Sequence, residues 1–520
     1  MKWLTRSSTM AAASALLVVG AAALILRSAP AQPRPVAVAV GDGDREIVWL
    51  FTTTNATSWE RFVAAVRRAA PRLQDQHPGL QLQIGEAAFP KQTTAVPEVA
   101  LTWPDQHRRL VFRWYKLTSD WKTRDWVEAL LKRRPPPLAI IGGSSSDAAR
   151  ELAWQLQRQS ADMAPTERPL LLLTTATADR VSLPESPQEN GSVDLTRVYP
   201  DRTFRYCFTN KQMADAVMGF LWNQDSLRPD ANPVHMVQWD DDAYSRDLTD
   251  GFREALPPLA GIPNPKRIAS SVGSFLSPNR FEADVVGQVL QDLDGKRPPQ
   301  AHPLLVVTGQ SAPSRRFLHE LARTSPAQAH RLVVATGDAV SFNFVYRDRR
   351  VTWPIQDLPF PFVFFCHFNP IDADAGFRAE DEGEGDQDSS ATGTEDILLN
   401  SAIVETLVQA LERDGRTAAN AAELSARLAK VRHKHGRFGY DAEGVLLFGP
   451  DGNRRGGAGE NIVYLRPTFE GDRVLPKATI EVWYSRESIE AEHPWKRRDE
   501  NNESLKISYE PPVVEERSAP

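Results

Sequence analysis

The sequence predicts an α/β protein of two lobes, each a mainly parallel sheet flanked by helices. Three observations predict it. Short apolar runs alternate with stretches of helical spacing. The runs are apolar throughout rather than at every second position, as strands covered on both faces are. The alternation pauses at Tyr199-Pro200 and then restarts, giving two blocks of one kind without residue-level repetition. At 520 residues the chain exceeds one ordinary core, so two or three compact units with appendages fit its length.

The first block opens with "EIVWLF" (46–51), which leads through "TTTNATS" into the helix "WERFVAAVRRAAPRL", where Phe62, Val63, Val66 and Ala69 share a face. The strands "LQLQIG", "EVALTW" and "RRLVFRWY" follow, then the helix "WVEALLKRR", the strand "PLAIIGG", the helix "DAARELAWQLQRQ" and the strand "PLLLLTT". Trp103, Trp114 and Trp121 lie in the bulky segment 87–121, and an aromatic-rich stretch of this kind is more often packing than a ligand wall. The second block runs through "KQMADAVMGFLW" (helix), "PVHMVQW" (strand), "YSRDLTDGFREAL" and "FEADVVGQVLQDL" (helices), "PLLVVTG" (strand), "SRRFLHELART" (helix) and "RLVVATG" (strand).

Beyond it, "FPFVFFCHF" (360–368) reads as another buried strand, and 369–396 as a solvated acidic loop. Eight acidic residues lie between Asp372 and Asp388 against one Arg378, and they lack the ligand register of a calcium loop. Two helices follow, "ILLNSAIVETLVQALER" and "AAELSARLAKVRHKH". A hairpin is then expected, with "GVLLFG" and "NIVYLRP" as strands about a Pro450-Asp451-Gly452-Asn453 turn. Residues 487–520 are charged, contain proline and read as a flexible tail.

Lys2 and Arg6 precede the apolar run 10–26, and Ala29-Pro30-Ala31 follows it, which is the pattern of an export signal at 1–31 with a Pro-rich linker at 32–45. Two outcomes stay open: cleavage after Ala31, or retention of 10–26 as an anchor in the inner membrane. Either places the protein in the periplasm or another extracytoplasmic space. Cys207 and Cys366 are the only cysteines, too few for a disulfide framework or a four-thiolate metal site. They form one bridge or, the commoner fate of apolar-flanked cysteine, stay buried and free. The net charge of −6 and the lack of a basic stripe interleaved with aromatics argue against nucleic acid.

Polar chemistry concentrates at two strand ends. Ser144, Ser145 and Ser146 follow "LAIIGG" and open a helix, and Thr175, Ala176 and Thr177 end the next strand. In an open parallel sheet that edge is where ligands bind, and a helix amino end offers free N–H groups and partial positive charge to a carboxylate. The alternative is capping, since Ser144 with Asp147 fits an S-x-x-D box. Enzyme signatures are missing: the ten histidines are scattered, and no H-E-x-x-H, G-x-S-x-G or Walker-type motif occurs. Neighbouring Cys366 and His367 on a strand point to opposite faces, and His433 and His435 sit among basic residues, so neither pair indicates catalysis or a metal. No cofactor is expected.

In pattern the sequence resembles the type I periplasmic binding proteins, which bind branched-chain amino acids and related ligands for ABC transporters. "LAIIGGSSSDAARELA" is similar to that family's strand, Ser-rich turn and helix, and "LLLLTTATADR" to its next strand and Ala-Thr turn. "RTFRYCFTNKQMADAVMGFLW", "HMVQWDDDAYSRDLTDGFREAL" and "VLLFGPDGNR" resemble its crossover, its second-lobe acidic turn with tyrosine, and its closing hairpin, all in the family's order. The resemblance implies that Ser144 to Ser146 with Thr175, Ala176 and Thr177 meet a ligand carboxylate from lobe I. It implies that Tyr244 walls the cleft, that Gly309, Gln310, Ser311 and Asp338 close over the ligand, and that Asp338 either pairs with a ligand ammonium or caps a turn.

It further implies lobe I at 46–203 with 338–433 and lobe II at 204–337 with 434–480. Three crossovers near 198–203, 337–346 and 433–441 would form the hinge. The expected function is capture of a small amino-acid-like or other polar solute, with a membrane ABC permease or a signalling protein as partner. A sensor or protein-interaction module on the same fold is the alternative, and an unrecognised hydrolase the remaining one.

Overall fold

The computed structural model describes residues 34–54, 56–85, 92–103, 108–183, 192–228, 234–239, 242–256, 303–324, 332–338, 360–368, 394–413, 416–434, 437–440, 444–456, 460–470, 473–485 and 495–497. The expected export signal, the helix "FEADVVGQVLQDL", the acidic loop up to residue 393 and the tail beyond residue 497 lie outside the described residues.

Among the described residues two seven-stranded sheets form the two lobes. The first lobe is built from β1 (Asp44–Thr52), β2 (Gln81–Ile84), β3 (Glu98–Trp103), β4 (Arg108–Leu117), β5 (Ala139–Gly142), β6 (Leu170–Leu173) and β9 (Thr203–Arg205), with a small ribbon of β7 (Arg180–Ser182) and β8 (Ser192–Asp194) beside it. Its order is β2-β3-β4-β1-β5-β6-β9, parallel from β4 to β9 with β3 and β2 antiparallel at one edge. Helices α1 (Ala56–Gln76), α2 (Thr123–Lys132) and α3 (Ser146–Gln159) connect these strands. Trp49, Trp59, Phe62 and Trp114 pack together on the α1 face, with Trp59 and Trp114 stacked at 6.0 Å. Trp103 and Trp114 are therefore core, and Trp121 packs half-buried against Trp126.

The second lobe begins with α4 (Asn210–Trp222), β10 (Val234–Val237), α5 (Ala243–Ala255), β11 (Leu304–Val307), α6 (Ser311–Thr324), β12 (Val333–Thr336) and β13 (Phe362–Cys366). The chain then returns to the first lobe. There α7 (Thr394–Leu411), α8 (Ala421–Leu428) and short strands β14 (Glu412–Arg413), β15 (Arg416–Thr417), β16 (Arg432–Lys434), β17 (Arg437–Gly439) and β18 (Val445–Leu446) add to it. Leu407, Leu424, Val431 and Phe448 share the core of Ile47 and Trp114. Finally β19 (Asn461–Glu470), β20 (Arg473–Ser485) and β21 (Trp495–Arg497) complete the second sheet, ordered β10-β11-β12-β13-β19-β20-β21. Its first four strands are parallel and the rest antiparallel.

This connectivity redraws the expected lobe boundaries. Strand 362–366 pairs with β12 (Val334 opposite Phe362), so the chain stays in the second lobe past residue 338. The crossovers fall at 205–209, after Cys366, and between Phe448 and Asn461 rather than near 198–203, 337–346 and 433–441. The expected closing hairpin is also different: "NIVYLRP" pairs with β13 and β20, while "GVLLFG" pairs with β16 and bridges Arg454. The helix from Ala421 ends at Leu428, because Arg432–Lys434 is drawn into a three-stranded sheet with β17 and β18.

At the amino end of β1, Glu46 accepts from Arg113 Nη1 (3.1 Å), from Tyr115 OH (3.0 Å) and from Arg133. The same two arginines donate to the backbone oxygens of Ala39 (3.1 Å) and Val38 (2.7 Å), which fastens the linker to the base of lobe I.

Candidate functional site

The carboxyl ends of β5 and β6 place the serine and threonine runs side by side. Gly143 at φ +80° makes the turn: a Cβ there would lie 2.7 Å from that of Ala149, so only glycine lets α3 start so close to the strand. Ser145 is the helix N-cap, its Oγ accepting from Ala148 N at 3.2 Å. Ser146 is buried, and its Oγ accepts from Ala178 N at 3.1 Å. Ser144 and Ser145 are exposed, and Thr175 donates to Ser144 O at 3.2 Å. Capping thus belongs to Ser145, one residue later than the S-x-x-D pattern suggested, while Ser144 and Thr175 keep hydroxyls at the cleft edge.

Ala176 and Thr177 are buried and turned to the hinge. Thr177 O accepts from Asn210 N at 2.8 Å and from Arg205 Nη1 at 3.1 Å, and Ala176 O faces Cys207 Sγ at 3.5 Å. The chain just beyond crosses to the other lobe. Asp247 of α5 accepts from Asp179 N (2.7 Å), Arg180 N (3.1 Å) and Asn210 Nδ2 (2.9 Å), and Asp179 accepts from Lys211 N at 2.8 Å. Burial, followed by the charge of Asp179, pushes the Asp247 carboxyl up to about 6.

Across the lobe boundary α5 touches α3, and Asp147 adds to the burial that raises the pKa of Asp242. Tyr244, in the first turn of α5, donates to Asp338 Oδ1 at 2.8 Å, and His367 Nε2 meets Asp338 Oδ2 at 2.9 Å. Burial works to raise the Asp338 pKa; the hydrogen bonds from His367 and the Tyr244 hydroxyl outweigh it and leave the carboxyl below its ordinary value. Gln310 is exposed and donates to Asp242 Oδ1 at 3.2 Å. A Cβ on Gly309 would lie 2.9 Å from Ser314 Oγ, so this glycine allows the tight turn into α6. Ser311 opens α6, and its side chain lies outside the described residues.

The structure therefore brings Ser144, Ser145 and Thr175 together on one lip and Tyr244 and Asp338 together on the other. It sets Ser146, Ala176 and Thr177 to internal contacts. Asp247 and Asn210 were not singled out by sequence, and His367 was weighed only as a neighbour of Cys366 and set aside; their only local signal is a polar residue on an otherwise apolar helix face or strand end. Both cysteines are buried and neither is in a disulfide. Among the described residues no group of three or more His, Cys, Asp or Glu could hold a metal ion, and no helix is long and apolar enough to cross a membrane.

No protein-family model and no curated protein matches the sequence. Solved structures match the fold. An ABC transporter substrate-binding protein from Desulfitobacterium hafniense, in complex with Leu, has a TM-score of 0.51 at 13% identity, over 83% of this chain and 99% of that one. A solute binding protein of an ABC transporter from Rhodopseudomonas palustris BisB5, in complex with 3,4-dihydroxybenzoic acid, has a TM-score of 0.51 at 11% identity, over 83% and 95%. The fold is that of the type I periplasmic binding proteins. A periplasmic binding protein from Burkholderia mallei, with a TM-score of 0.50 at 12% identity over 84% and 93%, has it as well.

Proposed function

We propose that the protein is an exported solute-binding protein that captures a small carboxylate-bearing solute between its lobes and delivers it to a membrane ABC transporter. The observation that supports this reading is the trio of hydroxyls at the cleft edge, Ser144, Ser145 and Thr175, at the amino end of α3. N–H groups, hydroxyls and helix dipole all favour a carboxylate there. Asp338 is the group suited to a ligand ammonium, and both its oxygens already have partners within lobe II. The solute class is accordingly small carboxylic acids, with an amino group optional. Leu and 3,4-dihydroxybenzoic acid, the ligands of two structural neighbours, bracket that class.

Thermal unfolding of the purified protein with leucine, benzoate, 3,4-dihydroxybenzoate and acetate tests the reading. A ligand at a hundred times its Kd adds about 2.7 kcal/mol to stability. At least one carboxylate raises Tm, and Ser144→Ala with Thr175→Val removes the rise. A panel without a shift, or a shift that survives both substitutions, overturns the reading.

A further inference from the structure

The segments that cross between the lobes gather around His367 and Phe208. His367 follows β13 at the second crossover, with its side chain 3% exposed. Its Nδ1 accepts from Phe208 N, in the first crossover, at 3.2 Å. A backbone amide only donates, so Nδ1 carries no proton and the ring N–H sits on Nε2, where it donates to Asp338 Oδ2 at 2.9 Å. The other oxygen of Asp338 takes the Tyr244 hydroxyl at 2.8 Å. The ring also stacks on Phe208, with centroids 6.0 Å apart and planes 5° from parallel. The third crossover joins through Arg454, which lies 3.9 Å from the Phe208 ring centroid and donates to Tyr206 O at 3.2 Å.

We propose that His367 is the positioning residue that couples the cleft face carrying Tyr244 to the pivot between the lobes. Tyr244 stands on the element that follows the carboxyl end of β10, the side of the second sheet that faces lobe I. Gly337 keeps that approach open, since a Cβ there would lie 3.0 Å from the Tyr244 hydroxyl. Movement of Tyr244 shifts Asp338, Asp338 orients the imidazole through Nε2, and Nδ1 sets the Phe208 amide at the point where the chain leaves lobe I. A relay of three directional hydrogen bonds between packed groups has few intermediate positions, so lobe angle and Tyr244 position change together. The proposal shares with the solute-binding reading only the premise that the lobes move, and its test needs no ligand.

The full-length protein is labelled with nitroxides at Gln157→Cys on α3 and Arg323→Cys on α6, both exposed positions; the native cysteines are buried and stay unlabelled. Interlobe distances and exchange of the Phe208 amide are then measured in four backgrounds. His367→Ala broadens the distance distribution and speeds Phe208 exchange roughly tenfold or more. His367→Asn keeps an acceptor near Nδ1 and retains slow exchange; His367→Gln keeps a donor near Nε2 and loses it. Both broaden the distances, because each breaks one half of the relay, and Tyr244→Phe broadens them with Phe208 protection intact. If His367→Asn and His367→Gln both keep the wild-type distances, the imidazole only fills space and the proposal falls. His367→Asn and His367→Gln retain polar bulk, so the test stands if His367→Ala fails to fold. A protein that shows this pattern and binds no carboxylate overturns the solute reading and leaves the coupling intact.

Discussion

Asp247 in lobe II accepts the backbone N–H of Asp179 in lobe I at 2.7 Å, and the two carboxyls repel each other across the lobe boundary. The joined lobes hold Asp247 at about 6, against about 3.9 for an exposed aspartate. Asp179 is raised as well, by burial first, against the opposing backbone hydrogen bond of Lys211 and the charges of Arg205 and Lys211. A carboxyl raised in the joined state binds its proton more tightly there, so acid favours the joined state. The gain appears as pH falls through about 6 and is complete below about 4, where both states are protonated. Interlobe distances should narrow over that window, and Asp247→Asn should flatten the response. Identical titrations of the two proteins would refute this role for Asp247.

The serine run separates two roles by position. Ser145→Ala removes the cap of α3 and should cost about 1 kcal/mol in urea unfolding. Ser144→Ala touches an exposed side chain and should change stability by less than about 0.5 kcal/mol while weakening carboxylate binding. Equal stability losses for the two would assign both serines to the helix.

Gly452 sits at φ +78° with its missing Cβ position 2.0 Å from Thr203 O. Gly452→Ala adds left-handed strain of about 1 to 2 kcal/mol and an overlap of about 1 to 3 kcal/mol. A loss of roughly 2 to 5 kcal/mol in urea unfolding is expected. A midpoint unchanged from wild type would show that β9 yields freely to the turn.

Burial pushes the Cys207 thiol up to about 12, and Cys366 is 2% exposed. Both thiols should ignore a disulfide reagent at neutral pH in the native protein and react together, two per chain, after unfolding. A fast native phase would mean that one of them is reached by local opening.

The βα grammar was legible because each run states its own period: "EIVWLF", "LAIIGG" and "LLVV" became strands of the two sheets. Assignment to a sheet was not, because "FVFFC" is apolar on both faces and carries no mark of which neighbour it takes. Its parallel partner β12 and antiparallel partner β19 lie in chain segments on either side of it, about thirty and a hundred residues away. The site divides in the same way. Ser144 to Ser146 are visible through a local rule at a strand end. His367 and Asp247 matter through Phe208 and Asp179, contacts 159 and 68 residues distant in sequence, which no local period encodes.

The Glu46 cluster fixes where the linker joins lobe I. Arg113 and Arg133 grip residues 38 and 39 just before β1, while Ser144 and Thr175 lie past the carboxyl ends of β5 and β6. Nine strand residues at about 3.3 Å each separate the two ends of β1, roughly 30 Å. Whatever pulls on the chain before Arg34 therefore loads the foot of lobe I and leaves the mouth unobstructed. Lobe II carries none of that load.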